Sequence, residues 1–452
     1  MSDTIAAIAT GAQVAAIGIV RLSGELAIPA VDRLFHPSSG RSMAQYEDRR
    51  LVYGALRSAD GALLDMCLCT VSRAPNSYTG EDTAELQCHG SPVLLRDVLG
   101  ELFKLGVRQA RAGEFTKRAF LNGRMELSSA EAVADLIDAE TAQAARNAAG
   151  QLSGAISGKT EAIYSQLTDI SAHYHAVLDY PDEDIEDFRL EQYVETLKGA
   201  EEQLNALLST FRRGRLMTAG IPAAIVGAPN AGKSSLLNAL LGYERAIVTD
   251  VPGTTRDTIE EKLLLGGLLL RLTDTAGIHK SEDMVERLGI ERSRAALANA
   301  ELAIAVVDGS RELTDGDRAV IQAAEGAPQG VLIISKADLF DTPPAIDTKL
   351  KTLTLSALTG EGLDKLEKAV EELFPMPPVP AGEIITNARQ AEAIEAALQH
   401  IRAAMGAMRC GATPDIVLTE SEEAMTALGE LSGRTVREDV TERIFGRFCV
   451  GK

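Results

Sequence analysis

Apolar and polar positions divide the chain into stretches of different texture. Over the first quarter, short β-like runs (Ile17–Leu22, Cys67–Val71, Ala84–Cys88) are separated by turn clusters such as Ala74-Pro75-Asn76-Ser77, and Pro92–Leu105 has a helical period. The apolar stretch from Ile5 to Val20 follows Asp3 and is cut by Gly11, Gln13 and Gly18, so it predicts strand, turn and strand in place of a secretory leader. Residues 1–121 therefore predict an α+β domain. After Asn122 the texture changes. Ser128-Ser129-Ala130-Glu131 has the form of a capping box, opening an Ala/Leu/Ile-rich helical pattern that runs with glycine interruptions to about Tyr180; a second helix is predicted from about Glu191 to Arg213. Between Ile221 and Phe374 strand-like runs (Ala223–Val226, Leu268–Thr273, Leu302–Val307, Val331–Ile334) alternate with amphipathic segments, which predicts a parallel-sheet α/β domain. Pro375-Met376-Pro377-Pro378-Val379-Pro380 closes it with a stiff linker. Helical pattern returns over Arg389–Met408, Glu420–Leu431 and Val436–Phe448. Helical texture on both sides implies an α/β domain at residues 220–379 inserted into one all-α domain made of 122–219 and 380–452.

Composition agrees with several packed domains. The 452 residues are 45% hydrophobic and 24% charged, enough to fill cores, which excludes a disordered or fibrous chain. A formal charge of −20 disfavours non-specific adhesion to nucleic acid or anionic membrane. The excess is uneven: residues 1–121 hold 13 basic and 13 acidic side chains, so all of it lies beyond them. Any nucleic-acid contact needs a local patch, and Arg108, Arg111, Lys117, Arg118 and Arg124 form the best one, with a merely solvated patch an equal alternative. Five cysteines without C-x-x-C spacing argue against a disulfide framework and a zinc site and fit a reducing cytoplasm. No run reaches the roughly 18 apolar residues of a membrane helix, so no membrane association is expected.

The sharpest chemistry lies in Gly227-Ala228-Pro229-Asn230-Ala231-Gly232-Lys233-Ser234, a G-x-x-x-x-G-K-[ST] motif set between a strand and an apolar helix. Glycines let backbone N–H groups curl around phosphates, Lys233 reaches the terminal phosphates and the Ser234 hydroxyl suits Mg²⁺. Three more strand ends select guanine over adenine nucleotides. Asp274-Thr275-Ala276-Gly277 offers a carboxylate for Mg²⁺ and a glycine N–H for the γ-phosphate. In Ser335-Lys336-Ala337-Asp338 the acid can accept from the ring N–H and amino group of guanine, and Ser356-Ala357-Leu358 supplies backbone donors to the base. The order predicts a Ras-like α/β GTPase. Ile278 stands where many GTPases carry a water-orienting Gln and cannot polarise water, so the catalytic group must come from elsewhere.

With these residues the chain resembles the tRNA-modification GTPase family MnmE (TrmE), over essentially its whole length. The matching segments are Pro229–Asn238, Ala246–Asp250, Gly253–Asp257, Val285–Arg287, Gly289–Arg292, Asn76–Asp82, Gly113–Phe115, Arg118–Asn122 and the ending Phe448-Cys449-Val450-Gly451-Lys452. The resemblance implies an N-terminal folate-binding and dimerisation domain, a helical domain and an inserted G domain. It implies a homodimer that works with the flavoprotein MnmG (GidA), installing an aminomethyl-type group on the fifth carbon of the wobble uridine of certain tRNAs from a tetrahydrofolate one-carbon unit. It also implies hydrolysis stimulated by potassium, which takes the place of an arginine finger. The implied K⁺ ligands are Asn230, Thr249, Val251 and Thr254; Thr255 joins Ser234 on Mg²⁺, and Glu286 positions the attacking water. The nucleotide-contacting set extends through Ser235 and the loop Thr249-Asp250-Val251-Pro252-Gly253-Thr254-Thr255. Folate falls to Arg21, Glu85, Arg124 and Lys452, with Cys449 a candidate catalytic thiol.

The match has departures. Relatives commonly carry a Gly-Arg-Gly-Gly stretch where this chain has Gly11–Gly18, and the base-reading motif starts with Ser335 in place of Asn, which implies a weaker guanine grip. The alternative reading is a regulatory GTPase that binds rRNA or ribosomal subunits as a switch; such a protein would usually carry a basic RNA-binding appendage after the G domain, whereas the segment after the prolines is helical and lacks a basic G-x-x-G loop.

Overall fold

The computed structural model describes residues 3–11, 13–179, 190–242, 261–272, 297–375, 379–435, 438–446 and 448–451. The chain forms two compact units, one of Met1–Ala134, Gln151–Glu202 and Ala393–Lys452, the other of Asp135–Gly150 and Gln203–Glu392.

The first unit holds strands β1 (Ile5–Ile8), β2 (Ala15–Ser23), β3 (Phe35–Pro37), β4 (Val52–Arg57), β5 (Leu63–Ser72), β6 (Thr83–Gly90) and β7 (Arg108–Gln109) in one sheet of order β3-β4-β5-β6-β2-β1-β7. Alternation sets the register, because a one-residue slip would turn every core side chain to the other face. In β6, Ala84, Leu86 and Cys88 are buried while Glu85 and Gln87 lie on the opposite face. The buried face packs on helices α1 (Ala27–Leu34) and α2 (Pro92–Lys104), whose Val31, Leu34, Leu95 and Leu102 join Val20, Leu22 and Leu86 in one core. The pairing of β5 with β6 also brings Cys67 close to Cys88, with their sulfurs and a carboxylate oxygen of Asp65 within 4.8 Å of one another, a cluster that spacing along the sequence could not show. Hydrogen bonding from Cys67, with burial, pushes the Cys88 thiol up, which favours its neutral form as a small core side chain.

Helices α3 (Glu114–Leu121), α4 (Leu127–Ile137), α5 (Ala142–Leu152), α6 (Ala155–Asp179), α7 (Leu190–Ser209) and α8 (Phe211–Ala219) follow. The capping-box expectation is corrected here: α4 begins at Leu127 and the Ser128 hydroxyl pairs with that of Ser157 at 2.8 Å, so Ser128–Glu131 lies inside the helix. The helix expected over 191–213 is broken at Thr210, whose N–H and hydroxyl both donate to the Leu207 carbonyl, an i−3 turn that ends α7. In the first unit α6 packs against the helix Pro414–Ser432, with Arg434 just beyond that helix bonded to Glu161 at 3.0 Å.

The second unit is built on strands β8 (Ile221–Gly227), β9 (Glu261–Leu265), β10 (Leu268–Leu272), β11 (Leu302–Asp308), β12 (Gln329–Ser335) and β13 (Lys351–Leu355), in the order β13-β12-β11-β8-β10-β9. All seven residues of β11 are buried, as a central strand covered on both faces requires. The sheet is not wholly parallel, contrary to the sequence expectation: β9 runs antiparallel to β10 as an edge strand. Gly266 and Gly267 join the two with φ of 60° and 70°, the positive values a two-residue primed hairpin turn demands. Among the described residues no helix is long and apolar enough to cross a membrane.

Candidate functional site

β8 ends at Gly227, and the chain turns through Ala228–Gly232 into helix α9 (Lys233–Gly242). A Cβ on Gly227 would lie 2.5 Å from the Val306 carbonyl of the neighbouring strand, so only glycine fits there. Asn230 has φ 60° and Gly232 φ 100°. Asparagine is among the few side chains that tolerate the left-handed region, and strain of this kind gathers where a loop must present its backbone to a ligand. The Lys233 ammonium donates to the carbonyls of Gly227 and Ala228, each at 2.8 Å, which folds it back over the loop. Burial pushes its pKa down. A helix N-terminus under a concave backbone with a lysine above it is built to hold an anion. Ser234 and Ser235 stand in the first turn of α9.

The segment Ser335–Asp338 leaves the end of β12, two strands from the loop. The Ser335 hydroxyl, buried, donates to the Ala231 carbonyl at 2.6 Å and so ties this segment to the Ala228–Gly232 loop. Lys336 has φ 61° and ψ 41°, and residues Ala337–Leu339 form a 3₁₀ turn. An Asp338 carboxylate oxygen accepts from the Ser356 hydroxyl at 2.5 Å, which brings Ser356 and Ala357 beside it. Leu339 and Leu358 are 63% and 86% exposed, two apolar side chains flanking this corner. The sequence motifs Asn230–Ser235, Ser335–Asp338 and Ser356–Leu358 thus come to one end of the sheet. Thr249, Asp250, Val251, Pro252, Gly253, Thr254, Thr255, Asp274, Thr275, Ala276, Gly277 and Glu286 lie outside the described residues.

In the first unit, Arg21 on β2 and Glu85 on β6 are opposite one another in the ladder and joined by an Nε to carboxylate bond of 2.8 Å. The Arg21 guanidinium stands over the rings of Tyr78 and Phe115, at 5.7 and 5.9 Å. Thr70 is the next residue along the same cross-strand row, and its buried hydroxyl has no hydrogen-bond partner among the described residues. Arg124 lays its stem on Gly80, in the loop that carries Tyr78, and lines an open cleft of about 800 Å³ with Lys117, Phe120 and Arg434. Cys449 is exposed, and its carbonyl accepts from the N–H of Gly113, two residues before Phe115. Val450 pairs with Ala112, and Gly451, at φ 105°, sits where a Cβ would be 2.3 Å from the Ile8 carbonyl. The tail and the Arg21–Glu85 pair therefore meet the same helix. Lys452 lies outside the described residues.

The basic cluster expected for nucleic acid is reduced. Arg108 is bonded to Asp3 and Glu114, and Arg118, 8% exposed, to Asp3, Glu81 and Glu114, so both are neutralised within the fold. Glu114 is held at about 2: burial opposes its charge, but bonds from Arg108, the Arg111 N–H and Arg118 outweigh it. A residue the motif reading missed is Asp308, which closes β11 and binds the Lys336 ammonium at 2.6 Å. Its signal was an acid at the end of an otherwise apolar strand.

Family models match both parts of the chain: "GTP-binding protein TrmE N-terminus" over residues 4–124 and "MnmE helical domain" over 127–449. The tRNA modification GTPase MnmE of Roseiflexus sp. (strain RS-1) is 42% identical, covering 100% of this chain and 99% of its own. That of Alkaliphilus metalliredigens is 39% identical with 100% of both chains covered, and that of Symbiobacterium thermophilum 41%, covering 100% and 99%. With matches of this extent, and the Ala228–Gly232 loop set between a strand and a helix as its motif requires, the chain belongs to the MnmE (TrmE) family of tRNA modification GTPases.

Proposed function

We propose that the chain hydrolyses GTP in a potassium-stimulated reaction coupled to wobble-uridine modification of tRNA, as a homodimer acting with the flavoprotein MnmG in the cytoplasm. Residues 1–121 serve as the folate and dimerisation domain, 220–379 as the G domain, and 122–219 with 380–452 as the helical domain. The observation that carries the GTPase reading is the 2.6 Å bond from Ser335 to Ala231, with Asp338 held by Ser356, which makes the phosphate loop and the base-reading segment one assembly. Family membership and the full-length relatives favour tRNA modification over a ribosome-binding switch.

Within that assembly the backbone N–H groups ahead of α9 take the phosphates, Lys233 pairs with their charge, and Asp338 accepts from the guanine edge. The donor set suits two cations of different size. Ser234, with Thr255, offers the hydroxyls Mg²⁺ takes, and Asn230 stands at the crest of the loop with Thr249, Val251 and Thr254 as its proposed partners for K⁺. A bound K⁺ supplies positive charge against the phosphoryl oxygens, and Glu286 orients the attacking water in place of the missing Gln. In the first unit, Arg21 and Glu85 present charge of both signs beside the Thr70 hydroxyl, which has no hydrogen-bond partner among the described residues, and this suits a pterin and glutamyl ligand such as tetrahydrofolate, the source of a one-carbon unit. Arg124 and Lys452 are assigned to its carboxylates and Cys449 to the adjacent chemistry.

Purified protein should hydrolyse GTP much faster in KCl than in NaCl at matched ionic strength, and Asn230→Ala should erase that difference while retaining nucleotide binding through Lys233. Equal rates in the two salts, or a potassium response that survives Asn230→Ala, would contradict the ion assignment.

A further inference from the structure

Lys336 is the only residue of the base-reading segment in the left-handed region, with φ 61° and ψ 41°. A lysine has no intrinsic reason to stay there, since its Cβ crowds the backbone. Something must hold it. Directly across the ladder from Ser335 stands Asp308, 6% exposed. One of its carboxylate oxygens accepts from the Lys336 ammonium at 2.6 Å; the other accepts from the N–H and hydroxyl of Ser310, at 3.0 and 2.6 Å. Arg311 approaches the same carboxylate at 3.9 Å but is engaged with Asp317, which is fully buried and caps the helix Asp315–Ala324 together with Thr314. Burial opposes the Asp308 charge, and the bonds from Lys336 and Ser310 outweigh it, holding its carboxyl below the usual range. Asp308 is thus a fixed, ionised anchor at the end of a central strand, with a lysine of the nucleotide corner as its charged partner.

We infer that Asp308 is a positioning residue for guanine-nucleotide binding: by gripping the Lys336 ammonium it holds the turn that aims Ser335 at the phosphate loop and Asp338 at the base. It touches no substrate itself. The strand end fixes Asp308, Asp308 fixes Lys336, and the 3₁₀ turn after Lys336 fixes Asp338. The inference rests on the proposed base pocket, so its test carries a control for that pocket.

The experiment is equilibrium and stopped-flow binding of GDP, XDP and ADP to the full chain, with thermal unfolding of each variant. Asp308→Asn should weaken GDP by about ten- to a hundredfold, the span expected for a hydrogen bond to a charged group. In a Lys336→Met background the same change should cost little, because the partner it acts through is gone. A full loss in both backgrounds would show that Asp308 serves folding alone and would overturn the inference. If Asp308→Asn unfolds, the loop variants decide: Lys336→Gly and Lys336→Ala both lose the ammonium, but glycine keeps the left-handed backbone freely. Glycine should then bind GDP more tightly than alanine, and equal or weaker binding would overturn the inference. Asp338→Asn is the control. A shift of preference from GDP to XDP supports the pocket independently of Asp308; a retained guanine preference removes the pocket, and this inference with it.

Discussion

The bond from Ser335 to Ala231 can be removed almost without changing volume, by Ser335→Ala. Ser335 is 5% exposed and Ala231 fully buried, so solvent cannot replace the lost donor at the Ala231 carbonyl. A neutral hydrogen bond is worth about 0.5–1.5 kcal/mol net, and about 1–3 kcal/mol when its removal strands a buried partner. A Cβ at Gly232 would lie only 3.2 Å from the Ser335 oxygen, so the two segments are closely packed, and the shorter alanine lets the loop relax and relieve part of the larger figure. Taking the smaller range, GDP and GTP should each bind about two- to tenfold more weakly, at 1.4 kcal/mol per factor of ten. Both should suffer equally, since the bond braces the loop under the phosphates they share. Ser335→Asn should act in the opposite direction, because an amide NH₂ carries two donors, one for Ala231 and one for a ring nitrogen of the base. Titration with a fluorescent GDP analogue, competed by unlabelled GTP, measures both variants. Unchanged affinity in Ser335→Ala, with an unchanged unfolding midpoint, would refute the idea that the two segments form one unit.

Other expectations follow from the proposed function and the structure. Glu286→Ala should bind GTP nearly as wild type and lose about 10²–10⁴-fold in single-turnover hydrolysis, the range for a lost acid-base or positioning group, and an unchanged rate would remove Glu286 from the hydrolytic machinery. Arg21→Gln should weaken tetrahydrofolate binding in calorimetry without altering GTP turnover; unaltered folate binding would remove the Arg21–Glu85 pair from that site. Because Glu114 is held at about 2 against a usual 4.5, its contribution to stability is complete above pH 4.5 and is lost as the pH falls toward 2. Urea midpoints should therefore fall less steeply with acid in Glu114→Gln than in wild type over that window, and parallel slopes would contradict the arginine cage.

What the sequence revealed and what it hid divide along physical lines. The P-loop was legible because its residues are contiguous and their types are demanded by the phosphate, and β11 because the six buried positions Leu302–Val307 form a continuous apolar run. The Ser335 residue was visible but its partner was not: Ala231 is 104 positions away, and only the parallel register of β8, β11 and β12 brings them together. Arg108 and Arg118 looked like a free basic patch because Asp3 and Glu81 lie far off in sequence and close in the fold. The β9 edge strand was hidden in a leucine-rich stretch that reads as one strand unless the paired glycines are taken as a turn. Asp308 was passed over because nothing adjacent to it in sequence announces a lysine 28 positions downstream.

Nucleoside mass spectrometry of tRNA tests the central claim most directly. In cells lacking the gene, total tRNA should lose its 5-aminomethyl-type wobble uridines and accumulate the unmodified base. Wild-type chain should restore them, while Lys233→Ala, with its phosphate loop disabled, should not. A full set of modified wobble uridines in the deletion strain would contradict the account, as would restoration by Lys233→Ala equal to that by wild type.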